Sequence, residues 1–275
     1  MTIPSVSAKA IHKCCGVLHF AMPIVIESVS LERYLAFISS QISPPNRSFS
    51  NGSKGTPSSA GNSNSGSKVS AKKRGNIEVT PEQHEVIVGS LLGDMSATRP
   101  PGPKRNTRLS IGQANLPYLL SLADLLASLI RQQNPTPDNK FDRSSGIQYY
   151  GYKLCTMSLP CLNFYREWFY PAGVKIVPND IMDHLTPLGL AHWFMQDGSK
   201  TSDNGVIFAT HCFSEAELQL LIQTLSTKFG LNCTLQKSGS GNQKVIYVRR
   251  ASIPTFIKLV CPYIHPSMSY KVPSQ

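Results

Sequence analysis

The strongest constraint on the fold of this chain is an internal duplication. A predicted helix starts with a Thr-Pro pair at Thr80 and ends at Asp94. The same arrangement recurs from Thr186 to Asp197, so that the two aspartates lie 103 residues apart. Threonine caps a helix start, and proline has the backbone angle of the first turn. A repeat of this length indicates two fused copies of one subunit, related by an approximate two-fold axis.

The apolar pattern predicts the same element order in both copies: helix, strands, helix, strands, helix. Later elements of the first copy are expected at 107–113, 116–132, 147–159 and 160–170, and those of the second at 205–210, 215–229, 231–237, 244–250 and 252–260. The proline-rich stretch 97–106 is predicted to be an irregular loop. We therefore predict an α+β fold with two pseudo-symmetric subdomains, 77–179 and 180–275.

Residues 1–76 differ in composition from the rest of the chain. Residues 43–70 are almost entirely Ser, Gly, Asn and Pro, which predicts a disordered N-terminal extension. The formal charge of +11 is uneven: 9 Lys/Arg against 2 acidic residues give +7 in 1–76, whereas 18 against 14 give +4 in the remainder. The scarcity of acidic residues leaves open an organelle-targeting leader, beside a remnant of upstream coding sequence or a disordered arm.

Two broad classes of protein are excluded by composition. The chain has seven cysteines, an odd number, with no zinc-ligand spacing, so we expect neither a disulfide scaffold nor a zinc finger. No apolar run reaches the ~18 residues of a membrane span, so no membrane is expected as a partner. The basic charge instead favours a polyanionic partner.

The two repeated helices are apolar nearly throughout, which predicts that they are buried and pack on each other. Gly89 and Gly93 in the first and Ala191 in the second would allow close approach. Asp94 and Asp197 would then emerge side by side, as a site for a hard divalent cation such as Mg²⁺. The alternative for either aspartate alone is a solvated residue at a helix end, but the repetition favours the functional interpretation.

Two segments, Ile87–Asp94 and Leu190–Gly198, resemble the two signature motifs of LAGLIDADG homing endonucleases. The second motif, with its lead-in from Leu185, is similar to the form found in organellar proteins encoded by group I introns. The stretches Lys175–Pro178, Phe229–Cys233 and Tyr263–Pro273 extend the resemblance, which covers about residues 77–273.

The resemblance implies a metal-dependent catalytic site. The last aspartate of each motif, Asp94 and Asp197, would bind Mg²⁺, with Mn²⁺ able to substitute and with Gly93 and Gln196 contributing to the site. Basic residues near the centre would stabilise the transition state. The residues at those positions follow their aspartates by 81 and 74 residues, and they are Lys175 and Lys271.

The motifs depart from the family pattern in places. Gln196 stands where a small or acidic residue is usual, and His192 is bulky where Gly or Tyr is common. The first motif has Met95 in place of the glycine that usually follows the aspartate. Since both aspartates are present, activity is expected.

The resemblance further implies two saddle-shaped antiparallel sheets over the DNA major groove. A single chain with both motifs would act as a monomer on a long asymmetric site of double-stranded DNA and leave 3′ overhangs. Polar residues that alternate with apolar ones along the strands are either a solvated face or a DNA-reading face. The candidate contacts are Arg108, Ser110, Gln113, Tyr150, Lys153, Thr210, His211, Gln236, Lys237, Lys244, Tyr247 and Arg249, with the loop residues Lys104 and Arg105 expected on phosphates.

Two other functions stay open on the sequence. Some family members are maturases that assist the splicing of their own intron RNA, and a catalytically inactive DNA-binding protein is a third possibility. Loss of either aspartate would have favoured these alternatives, and neither is lost. A mitochondrial or other organellar location is implied only by the resemblance. His84, His184 and His211 have no spacing that indicates a metal, and Tyr165, Trp168, Phe169 and Trp193 are expected in the core.

Overall fold

The computed structural model describes residues 75–102, 104–142, 146–238 and 243–274, so the predicted extension lies almost wholly outside the described residues. The helices are α1 (Pro81–Leu92), α2 (Leu116–Leu125), α3 (Asn163–Phe169), α4 (Ile181–His184), α5 (Pro187–Asp197), α6 (Glu215–Phe229) and α7 (Ile253–Val260). The strands are β1 (Ser96–Thr98), β2 (Arg108–Gln113), β3 (Thr136–Pro137), β4 (Lys140–Asp142), β5 (Ile147–Tyr149), β6 (Tyr152–Cys155), β7 (Gly198–Lys200), β8 (Val206–Phe208), β9 (Cys233–Lys237) and β10 (Lys244–Val248).

Two antiparallel sheets of four strands share one topology. The first has the order β1-β2-β6-β3 and the second has the order β7-β8-β10-β9. In each, the strand that follows a motif helix lies at an edge and pairs with the next strand in the chain. The separate β4–β5 pair extends the β3–β6 pair in the same register, because Thr136 faces Lys153 and Lys140 faces Tyr149. This shared order is the duplication expected from the sequence, whereas the division at residues 179 and 180 stays a prediction.

The predicted helix starts are present. The side chain of Thr80 accepts a hydrogen bond of 3.2 Å from the backbone of Gln83, whose side chain accepts one from Thr80 in return. Thr186 caps α5 by accepting from the backbone of Gly189. Each side-chain oxygen satisfies a backbone N–H that has no partner within the helix. Sequence-local chemistry therefore fixes where both motif helices begin.

One continuous core runs through both halves of the molecule. It contains the apolar residues of α1 and α5 together with the inner faces of the two sheets. Tyr165, Phe169 and Trp193 are buried, as expected, and Trp168 is partly buried and packs against the same cluster. No described helix has the length and apolar character of a membrane span.

Two segments differ from the sequence prediction. The predicted loop 97–106 contains the end of β1, which pairs with β2 by placing Ala97 opposite Leu109. The helix predicted over 116–132 ends at Leu125, although Leu129 is still fully buried. The carbonyl oxygen of Leu129 accepts a hydrogen bond from the backbone of Met157, and Ile130 forms an isolated β-bridge with Thr156. Contacts with the segment directly after β6 therefore override the helical stripe.

Candidate active site

The motif helices α1 and α5 approach through their backbones. A Cβ atom placed on Gly89 would lie 1.9 Å from the carbonyl oxygen of Gly189. Small residues are predicted at this contact from the sequence, with Ala191 as the candidate on the second helix. Ala191 is buried, but the residue that meets Gly89 is Gly189, two residues closer to the start of α5. The glycine pair sets the separation between the two halves.

The ends of the two helices bring both motif aspartates into one place. The backbone N–H of Asp94 donates a hydrogen bond of 2.9 Å to Oε1 of Gln196, the residue before Asp197. Asp94 is partly exposed, whereas Asp197 is only 4% exposed. Both carboxylates also act electrostatically on the ammonium group of Lys271. The two aspartates therefore lie together at the ends of α1 and α5, as the repeat predicts.

Gln113 belongs to this cluster and not to the outer sheet face. Its side-chain amide donates to Oδ2 of Asp94. Because side chains alternate along a strand, Gln113 shares the face of the buried Leu109 and Ile111, which is opposite to that of Arg108 and Ser110. The prediction that Gln113 reads DNA bases is corrected accordingly.

Two lysines contact the helix ends in equivalent ways. Nζ of Lys175 donates to the carbonyl oxygens of Gly93 at 2.7 Å and Met95 at 3.2 Å. Nζ of Lys271 donates to those of Met195 at 2.7 Å and Gln196 at 3.2 Å. Each positive charge satisfies carbonyl groups that a helix end leaves without an internal partner. The sequence-predicted lysines therefore lie beside the aspartates.

The pKa of Lys271 reflects its position in the cluster. Burial lowers this pKa below its usual value, while the negative charges of Asp94 and Asp197 raise it. Burial has the larger effect, so the ammonium group is less firmly protonated than a surface lysine. Lys271 is thus a partly desolvated positive charge that lies near both carboxylates.

The donor atoms of this cluster fit a hard divalent cation. The described residues contain no group of three or more His, Cys, Asp or Glu side chains that could hold a metal. The candidate ligands are all oxygen atoms: the carboxylates of Asp94 and Asp197, and the backbone carbonyls of Gly93 and Gln196. Each of these carbonyls already accepts a hydrogen bond from a lysine and would use its second lone pair for an ion. Mg²⁺ is commonly bound by one or two carboxylates, with water and substrate phosphate completing its shell.

Polar side chains predicted to face DNA mostly lie on the outer faces of the two sheets. Cross-strand partners stand on the same face, so the outer face carries Lys153 opposite Gly112 in the first sheet and Gln236 opposite Val245 in the second. Lys237 and Lys244 face each other on the opposite side of the second sheet, which they share with the buried Ile246 and Val248, so the prediction that they lie on the DNA-facing side is corrected. The predicted contacts that are exposed are Lys104, Arg105, Arg108, His211, Gln236, Lys237 and Arg249, while Ser110, Lys153, Lys244 and Tyr247 are half-buried.

Two predicted contacts occupy other places. Thr210 is fully buried, and its hydroxyl donates to the carbonyl oxygen of Lys244, so its prediction as a DNA contact is wrong. Tyr150 is 69% exposed but lies three residues from Lys153 along a continuous paired ribbon, which places the two on opposite faces. Tyr150 instead shares the face of the buried Leu154.

Two other predicted contacts already have acidic partners. The ammonium group of Lys244 pairs with the carboxylate of Glu215, and the hydroxyl of Tyr247 donates to Oδ2 of Asp203 at 2.6 Å. These partners orient both side chains in the absence of a ligand.

A buried polar network behind the aspartates was missed by the sequence analysis. The side-chain amide of Gln196 donates to Oγ of Ser90 and to the hydroxyl of Tyr118, both at 2.8 Å. The Tyr118 hydroxyl lies 2.9 Å from Nδ1 of His192. The only sequence signal was that Gln196 and His192 are unusual residues for the motif; nothing in the leucine-rich helix α2 pointed to Tyr118.

A pair of histidines lies far from the aspartates, with His84 near the start of α1 and His184 at the end of α4. Nε2 of His84 lies 2.9 Å from Nδ1 of His184, and Nδ1 of His84 lies 2.8 Å from the Tyr165 hydroxyl. Two imidazoles whose nitrogens face each other share one proton, so they form a hydrogen bond. The sequence indicated no metal at these histidines. In the fold they contact each other and Tyr165, and Nε2 of His184 also lies 3.7 Å from Oδ2 of Asp180.

A comparison with known protein families identifies the chain. The profile described as the LAGLIDADG DNA endonuclease family matches residues 84–256, which include both motif helices and both sheets. The chain belongs to this family. The two motifs in one chain and the α+β fold predicted from the sequence are thereby confirmed.

Curated relatives of this LAGLIDADG chain include two fungal proteins with the same name. It is 36% identical over 198 residues to the "Cytochrome b mRNA maturase bI2" of Saccharomyces cerevisiae, covering 68% of this chain and 46% of that one. It is 34% identical over 201 residues to the protein of that name from Debaryomyces hansenii, covering 72% and 76%. The chain thus spans about half the length of the Saccharomyces relative.

A solved structure has a similar fold. The structure titled "The homing endonuclease I-WcaI bound to its DNA recognition sequence" superposes with a TM-score of 0.67 at 25% sequence identity. The match covers 72% of this chain and 89% of the other. The two-sheet architecture is therefore that of an experimentally determined homing endonuclease.

Proposed function

We propose that this chain is a site-specific endonuclease that cuts both strands of a long asymmetric DNA site, leaves 3′ overhangs and mediates the homing of its intron. The observation that carries the proposal is the pairing of Asp94 with Asp197 at the meeting ends of α1 and α5. Membership of a DNA endonuclease family and the likeness to I-WcaI bound to its DNA recognition sequence support it.

We assign metal binding to the carboxylates of Asp94 and Asp197, with the carbonyls of Gly93 and Gln196 as further oxygen donors. Mg²⁺ is the proposed ion, and Mn²⁺ is expected to substitute because it also prefers oxygen ligands. A divalent ion bound there would supply an activated water and would stabilise charge on the departing oxygen of a phosphodiester.

The remaining residues act on the substrate. Lys175 and Lys271 hold positive charge at the aspartates, where negative charge would grow on the phosphate as the bond breaks. The outer sheet faces bind the DNA duplex through residues that pair with base edges or phosphates. The proposed set is Lys104, Arg105, Arg108, Ser110, Lys153, His211, Gln236, Tyr247 and Arg249. Since both halves of the site come from one chain, the active form is a monomer. Its proposed location is the mitochondrion, and the naming of two relatives as cytochrome b mRNA maturases supports this location.

The test is cleavage of a library of randomised DNA sites by the full chain, with Mg²⁺ or with EDTA. We expect cutting at one long sequence with Mg²⁺, with 3′ overhangs, and none with EDTA. Asp94→Asn or Asp197→Asn should abolish double-strand cleavage while DNA binding is kept, because the charge that holds the ion is lost. Asp183→Asn, an exposed site on α4, is the matched control. Cleavage that persists in the double variant would contradict the assignment.

A second function, assistance to intron RNA splicing, is favoured by the relatives named maturases. This role needs an RNA-binding surface and not the carboxylate pair. Splicing of the host intron RNA with the wild-type chain and with the Asp94→Asn, Asp197→Asn double variant separates the two functions. Equal splicing by both proteins would establish a maturase role independent of cleavage, and no stimulation by either would exclude it.

A further inference from the structure

We propose that Gln196 is a positioning residue for Asp94, and that it acts across the interface between the two motif helices. Its amide fixes the backbone of one aspartate and not of the other, so the two halves of the site are unequal. This inference rests on the proposed function for its effect on cleavage, but the contact itself can be tested without DNA.

The orientation of the Gln196 amide is set by its neighbours. The backbone N–H of Asp94 can only donate, so the atom that faces it at 2.9 Å must be the amide oxygen. The amide nitrogen then faces Oγ of Ser90 and the hydroxyl of Tyr118. Both of its hydrogens and its oxygen are used, and the side chain is 2% exposed. The amide therefore has one low-energy orientation.

The network continues to a histidine that anchors it. Because the Tyr118 oxygen accepts from Gln196, its single hydrogen is available to donate to Nδ1 of His192. Nδ1 can accept only while the imidazole is neutral, and burial lowers the pKa of His192 to about 4. The chain of hydrogen bonds from His192 to Asp94 is thus complete at neutral pH.

No equivalent contact runs in the opposite direction. The residue before Asp94 is Gly93, which has no side chain to reach toward Asp197. A Cβ atom on Gly93 would lie 2.6 Å from Oε1 of Gln196, so the glycine leaves room for the glutamine. The absence of a side chain at Gly93 therefore leaves the space that the Gln196 side chain from α5 fills.

Asp94 is consequently held by two amides on different elements. Gln196 on α5 binds its backbone, and Gln113 on β2 binds its carboxylate. Residues that orient a metal ligand in this way typically change metal affinity or activity by about 10–100-fold when they are replaced. We therefore expect loss of Gln196 to impair the part of the site that depends on Asp94 more than the part that depends on Asp197.

The first experiment measures cleavage of each DNA strand separately, on the site selected from the library. Gln196→Met keeps the size of the side chain but removes the amide. We expect it to slow one strand by about 10-fold or more relative to the other, and to slow the same strand as Gln113→Ala. The matched control is Thr186→Val, which removes both a hydrogen bond to Glu85 and the cap of α5 at the far end of the same helix pair, without touching Asp94. Equal slowing of both strands, or the same bias in the control, would overturn the proposal.

The second experiment measures hydrogen exchange of the Asp94 amide by NMR, with the ¹⁵N-labelled full chain and no DNA. We expect this amide to exchange about tenfold faster in Gln196→Met, which corresponds to the loss of one hydrogen bond. Thr186→Val should leave it unchanged, and Gln196→Glu should preserve protection because it retains an acceptor oxygen. If the wild type cuts no sequence, the proposed function fails, and unchanged protection in Gln196→Met separately refutes the positioning role.

Discussion

A missing methyl group at Gly89 determines how closely the two halves of the molecule approach. The carbonyl of Gly189 occupies the place that a side chain on Gly89 would take. A glycine inside a helix is normally unfavourable relative to alanine by about 1 kcal/mol. Its presence in a buried helix is therefore explained by the contact and not by the helix.

Gly89→Ala tests this explanation. We expect the free energy of unfolding to fall by about 1–3 kcal/mol, because the clash with Gly189 outweighs the better helix propensity of alanine. Urea denaturation of both proteins measures the change. Gly75→Ala is the control, because a Cβ atom there would meet nothing within 4 Å. A Gly89→Ala protein as stable as the wild type would show that the helices can separate without cost.

The buried His192 predicts a pH dependence of stability. Burial, with a smaller contribution from the nearby His265, lowers its pKa from 6.5 to about 4. Between these values the unfolded chain takes up a proton that the folded chain does not, so stability should fall as the pH drops from about 6.5 to about 4. The full shift corresponds to about 3 kcal/mol. His84 and His265, whose pKa values burial also lowers, add to this in the same direction.

Urea unfolding at several pH values measures this dependence. His192→Gln keeps a polar side chain but has no titrating group, so its stability should depend less steeply on pH below 6.5. A His84→Gln variant provides the comparison at the other end of the helix pair. Equal slopes for wild type and His192→Gln would mean that the folded protein admits a proton at this position.

At the scale of elements, local side-chain chemistry determines where helices begin and end, whereas edge strands form only by pairing with a neighbouring strand. The helix α6 shows the first case: Ser214 and Glu217 form a capping box, and Gly230 ends the helix with a φ of 67°. Residue type alone predicts both features, because Ser-x-x-Glu is the pattern of a capping box and glycine tolerates a positive φ. The edge strands β1 and β7 show the second case, because three-residue segments carry little periodicity and form only through pairing with β2 and β8.

Removal of the α6 cap tests how much this local chemistry contributes. Ser214→Ala should reduce the free energy of unfolding by about 1 kcal/mol, whereas Ser214→Gly should cost only a few tenths. Glu217 also accepts from the backbone of Val177, so part of the loss would come from the segment that joins the two halves. Denaturation with urea distinguishes the variants. Indistinguishable stabilities of the alanine variant and the wild type would contradict a contribution from the cap.

At the scale of the whole molecule, the placement of charge matters more than its total. The region after residue 76 has a net charge of only +4, yet several basic side chains stand on the outer sheet faces. Binding to DNA phosphates releases counterions, so affinity should fall with salt concentration. We expect Lys153→Ala and Arg108→Ala each to reduce the slope of log affinity against log salt by about 1. Fluorescence anisotropy with duplex DNA measures the slope, and Lys258→Ala, exposed on α7, should not change it.

The division at residue 76 is a further prediction at this scale. Deletion of residues 1–74 should leave a protein with the thermal midpoint and the cleavage activity of the full chain. Residues 43–70 of that segment contain almost no apolar residues, so they separate it from the core that begins after the first capped helix start at Thr80. Circular dichroism and the cleavage assay compare the two proteins. An unfolded truncated chain would contradict the proposed boundary.

The sequence by itself determined the duplication, the two motif helices with their caps, and the aspartates and lysines of the site. These features are set by residue type and by short-range spacing, which a linear pattern contains. Only the tertiary structure decided that Gly189 meets Gly89, that Gln113 faces Asp94, and that Thr210 is buried. Each of these depends on which residues from distant segments share one space, because burial and hydrogen-bond partners belong to the packed chain.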